Sequence, residues 1–212
     1  MPFYTTKHHR HSIRLKDYDY SQPGSYFVTI CTHNHKKLFG DIDHFVGAGS
    51  EPAPTNRPLI HSLESNQTEH EKMNLNSFGE ILLFTWNDLI NHYKGIKLGD
   101  FVIMPNHFHG IIHIVDLDTE WDDFIPSNFK YHDVVAGLEP APTDHAPLSE
   151  IVRQLKTFSA RRINRERKTP GISVWQRNYY EHIIRTKESY DQIVEYIQNN
   201  PMMWKMDKLF VV

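Results

Sequence analysis

Residues 98–115 read LGDFVIM–PN–HFHGIIHIV: two runs rich in β-branched and aromatic residues, parted by Pro105 and Asn106. Such runs favour extended backbone, and a Pro-Asn break between them is turn chemistry. The stretch therefore predicts a hairpin-like pair of strands. Side chains alternate across a strand, so His107 and His109 project to one face while Phe108 goes to the other.

Outward from this pair, the pattern supplies the rest of a sheet. Residues 25–33 (SYFVTICTH) follow the turn residues Gln22, Pro23 and Gly24 and read as a strand. Residues 78–93 read as a helix, with Ser77 and Glu80 as a capping box and Leu82, Trp86, Leu89, Ile90 and Tyr93 at helical spacing. A second helix over 149–166 starts at Ser149 and places Ile151, Val152, Leu155, Phe158 and Ile163 on one side. A short extended piece, VWQRNYYEHIIR (174–185), precedes a last helix over about 187–200, which Pro201 stops. The first six elements match a ferredoxin-like βαββαβ plan: an α+β fold whose antiparallel sheet carries helices on one face. The last helix is an extra element laid against that sheet. Residues 46–76 and 116–147 are rich in Pro, Ser, Asn and acidic side chains and read as loop-like insertions in a single domain spanning 1–212.

Composition narrows the setting. Hydrophobic residues form 39% of the 212 and charged residues 23%, enough for a core and a soluble surface. No apolar run approaches the roughly 18 residues that a membrane span needs. The opening MPFYTTKHHRHS lacks an apolar signal region. The lone cysteine, Cys31, excludes an intrachain disulfide and argues against a cysteine-based zinc site. The expected compartment is the cytoplasm. The net charge of −3 hides a basic cluster over 153–168, with Arg153, Lys156, Arg161, Arg162, Arg165, Arg167 and Lys168. The N-terminus adds Lys7, Arg10, Arg14 and Lys16, and an acidic run occupies 116–123. Basic clusters on a mildly acidic chain suit either a phosphate-binding face or a solvated helix surface.

Two groups carry candidate chemistry. His107 and His109, side by side on a strand, can share one metal ion; His113, further along the same face, reads as structural. On the last helix Tyr190, Ile193, Val194 and Ile197 form the apolar stripe, with Tyr196 and Asn200 together on its edge at i and i+4. Two imidazoles, an amide oxygen and a phenol suit metal-assisted nucleophilic attack on a phosphodiester. Either group alone has an ordinary structural explanation.

PNHFHG, VWQRNYYEHIIR and VEYIQNNP together resemble the REP-associated tyrosine transposases, within the single-tyrosine HUH transposases of bacterial insertion sequences. HSIRLKDYDYSQPGSYFVTICTHNHKKLFG and NSFGEI are similar to one branch of that family. The resemblance spans nearly the whole chain outside the insertions. It implies that His107 and His109 are the HUH pair, that Tyr196 is the nucleophile and that Asn200 is a third metal ligand, holding Mg²⁺ or Mn²⁺. It implies cleavage and rejoining of single-stranded or hairpin DNA through a 5′-phosphotyrosine, with a homodimer possible and no membrane involved. Tyr179 and Tyr180 are rival nucleophiles, read as core or DNA-contacting residues. Arg153, Lys156, Arg161, Arg162, Trp175, Arg177 and Arg185 are the expected DNA contacts, with His182 a further candidate. A second reading is a non-catalytic hairpin-DNA-binding protein derived from such a transposase, and a third is an unrelated metal-dependent hydrolase using the His pair, which would need a general base and usually a carboxylate ligand.

One feature of the insertions stands apart: VGAGSEPAPT (46–55) returns as VVAGLEPAPT (134–143). Val-Gly-Ala-Gly can be encoded GTAGGGGCGGGT, and Glu-Pro-Ala-Pro-Thr can contain its reverse complement, ACCCGCCCCTAC. The expectation is that these segments carry palindromes captured in frame, tolerated because surface loops accept insertions at little cost. Codons without inverted-repeat arms would exclude it.

Overall fold

The computed structural model describes residues 18–45, 70–115 and 146–210. The basic N-terminus, the acidic run and both copies of the repeated peptide lie outside the described residues.

The elements run β1 (Gly24–Cys31), β2 (Gly40–Phe45), β3 (His70–Leu75), α1 (Ser77–His92), β4 (Ile96–Met104), β5 (His107–Ile114), α2 (Leu148–Glu166), β6 (Tyr180–Ile184) and α3 (Lys187–Asn199). Short 3₁₀ turns fall at His33–His35 and Trp204–Met206. Four strands form one sheet in the order β4-β5-β1-β6, and every neighbouring pair is antiparallel. With β2 and β3 set aside, the chain follows the βαββαβ order expected from the sequence.

Strand parity divides the molecule. Tyr26, Val28 and Ile30 of β1 and Phe108, Ile112 and Ile114 of β5 are buried in one core with Leu82, Trp86 and Leu89 of α1 and Ile151, Val152, Leu155 and Ile163 of α2. Phe108 meets Trp86 with ring centroids 4.8 Å apart. Gly110 makes that approach possible, since a Cβ there would lie 2.8 Å from the Phe108 ring and 3.0 Å from Trp86. Residues of opposite parity on the same strands (Phe27, Thr29, His107, His109 and His113) face α3 instead. His109 lies 5.2 Å from the Tyr196 ring and His113 6.0 Å from Tyr190. A one-residue slip of β5 would exchange the two faces, so the burial of Phe108 is what aims the histidines.

Two expectations change. Residues 70–75, read as part of an insertion, form β3 and pair with β2 from Gly40↔Leu75 to Phe45↔His70. The segment HEKMNL is mostly polar and its only alternating apolar pair is Met73 and Leu75, which pack against the core. The strand is thus made by pairing rather than by composition. Helix α1 is capped by Asn76, not by a Ser77–Glu80 box: its Oδ1 accepts from the Phe78 and Gly79 amides at 2.9 and 3.1 Å. Asn76 and Ser77 are both good caps, and the Asn76 Nδ2 bond to the Leu38 carbonyl (3.0 Å) favours the former.

Candidate metal centre and tyrosine

His107 and His109 stand side by side on β5, ring centroids 4.5 Å apart, and both are buried. His109 Nδ1 is hydrogen-bonded to Thr29 Oγ1 on the paired strand at 2.8 Å. Its Nε2 lies 3.3 Å from the Tyr196 hydroxyl, which donates to it if Nδ1 carries the ring proton. Phe27 stacks on His109 at 5.3 Å and meets Tyr196 edge-on at 6.2 Å. The phenol is positioned, yet Tyr196 remains 45% exposed, so an external phosphate can reach it.

Tyr196 on α3 and Asn200, the helix's C-cap, come to the site as i and i+4; the Thr186 cap at the other end accepts from the Ser189 amide. Asn200 keeps helical backbone (φ −57°, ψ −42°) despite the following Pro201. It is buried; its Nδ2 donates to Asp207 Oδ2 at 3.2 Å and its Oδ1 has no hydrogen-bond partner. His107 Nε2 is likewise buried without one, with Asp207 Oδ2 at 3.8 Å. Orphaned buried polar atoms cost free energy unless something satisfies them. The potential ligand atoms of His107, His109 and Asp207 all lie within 4.8 Å of one another. Two imidazole nitrogens, a carboxylate and an amide oxygen form a mixed N/O donor set suited to a divalent cation.

Electrostatics agree. Burial pulls His107 down to about 4, and pulls His109 well below the ordinary imidazole value, so both are neutral and able to ligate near neutral pH. Burial and the Asp207 charge push the Tyr196 phenol above its usual value, keeping it protonated until a substrate or ion changes its surroundings.

Four of the expected DNA contacts are engaged within the fold, and the other three are exposed. The apolar face of α2 packs in the core on the other side of the sheet. Lys156 donates to the carbonyls of Gln176, Arg177 and Asn178 at 2.6, 3.1 and 3.1 Å, which ties its ammonium to the approach to β6. Arg162 bonds Thr85 and Asp88 on α1, each at 3.1 Å, and joins the helices. Trp175 is buried, with Nε1 donating to Ser159 Oγ at 2.9 Å, and is therefore closed to a stacking base. Arg153 is exposed and forked onto Glu150. Arg161, Arg177 and Arg185 are exposed. Of the rival tyrosines, Tyr179 packs against the core. Tyr180 is 64% exposed and pairs with Thr29 in β6, the strand beyond His109 and Thr29 in the same row of the sheet.

Asp207 escaped the sequence reading. It lies beyond Pro201 in a stretch with no periodic pattern, and only the fold of the C-terminal turn carries it back to β5. Thr29 was legible as a strand residue, but its bond to His109 depends on the β1–β5 register.

The fold and site define a class: an antiparallel α+β protein that offers a strand His-x-His pair and a helix-borne tyrosine to one pocket. The family described as transposase IS200-like matches residues 141–200, which include Tyr196 and Asn200. A protein of Haemophilus influenzae, described only as uncharacterized, is 37% identical over 205 residues, covering 96% of this chain and 94% of that one. The chain belongs to the IS200-like transposase family. Among solved structures, a REP-associated tyrosine transposase bound to a REP hairpin aligns at 16% identity and TM-score 0.47, covering 89% of this chain and 72% of that one. A candidate transposase of Deinococcus radiodurans R1 aligns at 15% identity and TM-score 0.39, covering 88% and 95%. Among the described residues, no helix is long and apolar enough to cross a membrane.

Proposed function

We propose that this protein cleaves and rejoins single-stranded, hairpin-forming DNA in the cytoplasm, with Tyr196 as nucleophile, in the manner of the REP-associated branch of its family. The observation that carries the reading is the Tyr196 hydroxyl 3.3 Å from His109 Nε2, beside a buried His107 Nε2 that lacks a hydrogen bond. His107, His109, Asp207 and the Asn200 amide oxygen would hold Mg²⁺ or Mn²⁺; carboxylate and amide oxygens suit both ions, and the imidazoles favour manganese. The ion would supply charge to polarise a non-bridging phosphate oxygen. Tyr196 Oη bonds to phosphorus, the bond from phosphorus to the 3′ oxygen breaks, and the phenol proton is accounted for on the new 3′-hydroxyl. The 5′-phosphotyrosine retains the energy for rejoining, because one phosphodiester has been exchanged for another. Phe27 limits the ring's freedom from the sheet side, and α3 fixes its distance from β5.

The test is a denaturing gel of the protein with labelled hairpin-bearing single-stranded DNA and Mn²⁺, Mg²⁺ or EDTA. A covalent protein–DNA band is expected with metal and none with EDTA. Tyr196→Phe should remove the band while keeping a native gel shift. A band that persists in Tyr196→Phe would transfer the nucleophile to Tyr180, the exposed tyrosine on the same sheet face. His107→Ala and His109→Ala should each abolish the metal-dependent band.

A further inference from the structure

We infer that Asn106 is a positioning residue, one that sets the ring tautomer of His107 and fastens the Asp207-bearing C-terminal turn over the same ring. The inference rests on the reading of His107 as a metal ligand. Asn106 is fully buried in the turn between β4 and β5, and every polar group of its side chain is engaged. Its Nδ2 donates to the Leu209 carbonyl at 2.7 Å and lies 3.4 Å from the His35 carbonyl. Carbonyls only accept, so these contacts fix which end of the amide is nitrogen. The other end, Oδ1, then accepts, and the atom it meets at 2.8 Å is His107 Nδ1. That nitrogen must carry the ring proton. Nε2 is left with its lone pair, aimed at the side of the ring where Asp207 and Asn200 converge.

The turn itself is held from several directions. The Pro105 carbonyl accepts from the amides of Leu38 and Phe39 at 2.7 and 3.1 Å, and the Asn106 carbonyl from the Thr32 amide and hydroxyl at 2.9 and 3.0 Å. Asn34 and His35 adopt positive φ (56° and 51°) on the segment that brings the His35 carbonyl to Asn106. On the other side, Asp207 Oδ1 accepts from the Leu209 amide at 2.6 Å, so the residue whose carbonyl Asn106 holds also orients the Asp207 carboxylate. Trp204 closes the pocket, 5.9 Å from the His107 ring. One amide therefore organises two metal-facing groups from parts of the chain far apart in sequence. Groups hydrogen-bonded to a ligating imidazole commonly change metal affinity by about 10–100-fold when removed.

The test uses full-length protein and three readouts. In metal-free wild type, ¹⁵N chemical shifts should show His107 with the proton on Nδ1; a ring protonated on Nε2 overturns the inference without any variant. Calorimetric titration with Mn²⁺ should give about a 10–100-fold weaker Kd for Asn106→Ala. Asn106→Asp keeps an acceptor for His107 Nδ1 but loses the donors to Leu209 and His35. It should retain Mn²⁺ affinity within a few-fold while hydrogen exchange at 207–210 accelerates. A purely structural Asn106 predicts no such split between the two variants, and Asn106→Ala binding Mn²⁺ like wild type overturns the proposal. A wild type that binds no Mn²⁺ instead overturns the metal-site reading on which it rests.

Discussion

At the scale of single residues, the site buries neutral imidazoles, and this has a consequence that can be measured without DNA. His107 takes a proton only near about pH 4 in the folded protein, against 6.5 for an ordinary histidine. Between those values the unfolded chain binds the proton and the folded chain does not. Stability therefore falls as pH drops from about 6.5 towards about 4, and levels off below it. The buried His109 adds a contribution of the same sign. In EDTA, urea unfolding of wild type should lose stability between pH 7 and 5, and His107→Gln should lose less; equal slopes would mean that burial does not suppress protonation at His107. The histidines and Tyr196 were legible because a strand's two-residue period and a helix's turn are local rules. Asp207 was not, since its role depends on the chain returning after Pro201. Nor was the state of Asn106 legible: a turn Asn reads as backbone chemistry, and only the carbonyls of His35 and Leu209 reveal how its amide is oriented.

Among the elements, α2 shows what charge alone leaves open. Seven basic residues over 153–168 suit either a phosphate-binding face or a solvated surface, and Lys156 and Arg162 differ from both in what their side chains meet. Lys156 is half-buried and caps three successive carbonyls, and burial lowers it to about 8. Arg162 lies over the Phe84 ring at 4.9 Å and is paired with Asp88. Periodicity placed α2 correctly, but a basic residue's polar destination depends on the neighbouring element, which no local pattern contains. The same limit hid β2 and β3, whose strand character comes from each other. Lys156→Met keeps the aliphatic stem and removes the donors. It should cost about 1–3 kcal/mol in chemical denaturation and speed hydrogen exchange over 176–184. Arg153→Ala, which breaks only the exposed Glu150 pair, should cost under about 1 kcal/mol. If Lys156→Met instead leaves stability intact and lowers the salt slope of DNA binding by about one, Lys156 contacts phosphate and its carbonyl bonds are incidental.

Across the whole molecule the sheet is a partition. One face, under α1 and α2, holds the continuous apolar core; the other holds the histidines, α3 and the C-terminal turn. Because β5 contributes alternate side chains to both, a single strand is shared between stability and chemistry without any one side chain serving both. Substitutions on opposite faces should therefore separate cleanly. Leu155 on α2 is fully buried in the core. Leu155→Ala should lose about 2–5 kcal/mol of stability, yet at a temperature where it stays folded its Mn²⁺ affinity should match wild type. Tyr196→Phe removes a hydroxyl, with its long bond to His109, from a residue that is 45% exposed; it should cost no more than about 1 kcal/mol, while the covalent DNA band disappears. The two side chains share no contact, so the double variant should show stability changes that add within about 0.5 kcal/mol. A larger coupling, or a fall in Mn²⁺ affinity with Leu155→Ala, would mean that the core face transmits its packing through the sheet. The histidines would then be held in place by the whole layer beneath them, and not by β5 and its hydrogen-bonded neighbours alone.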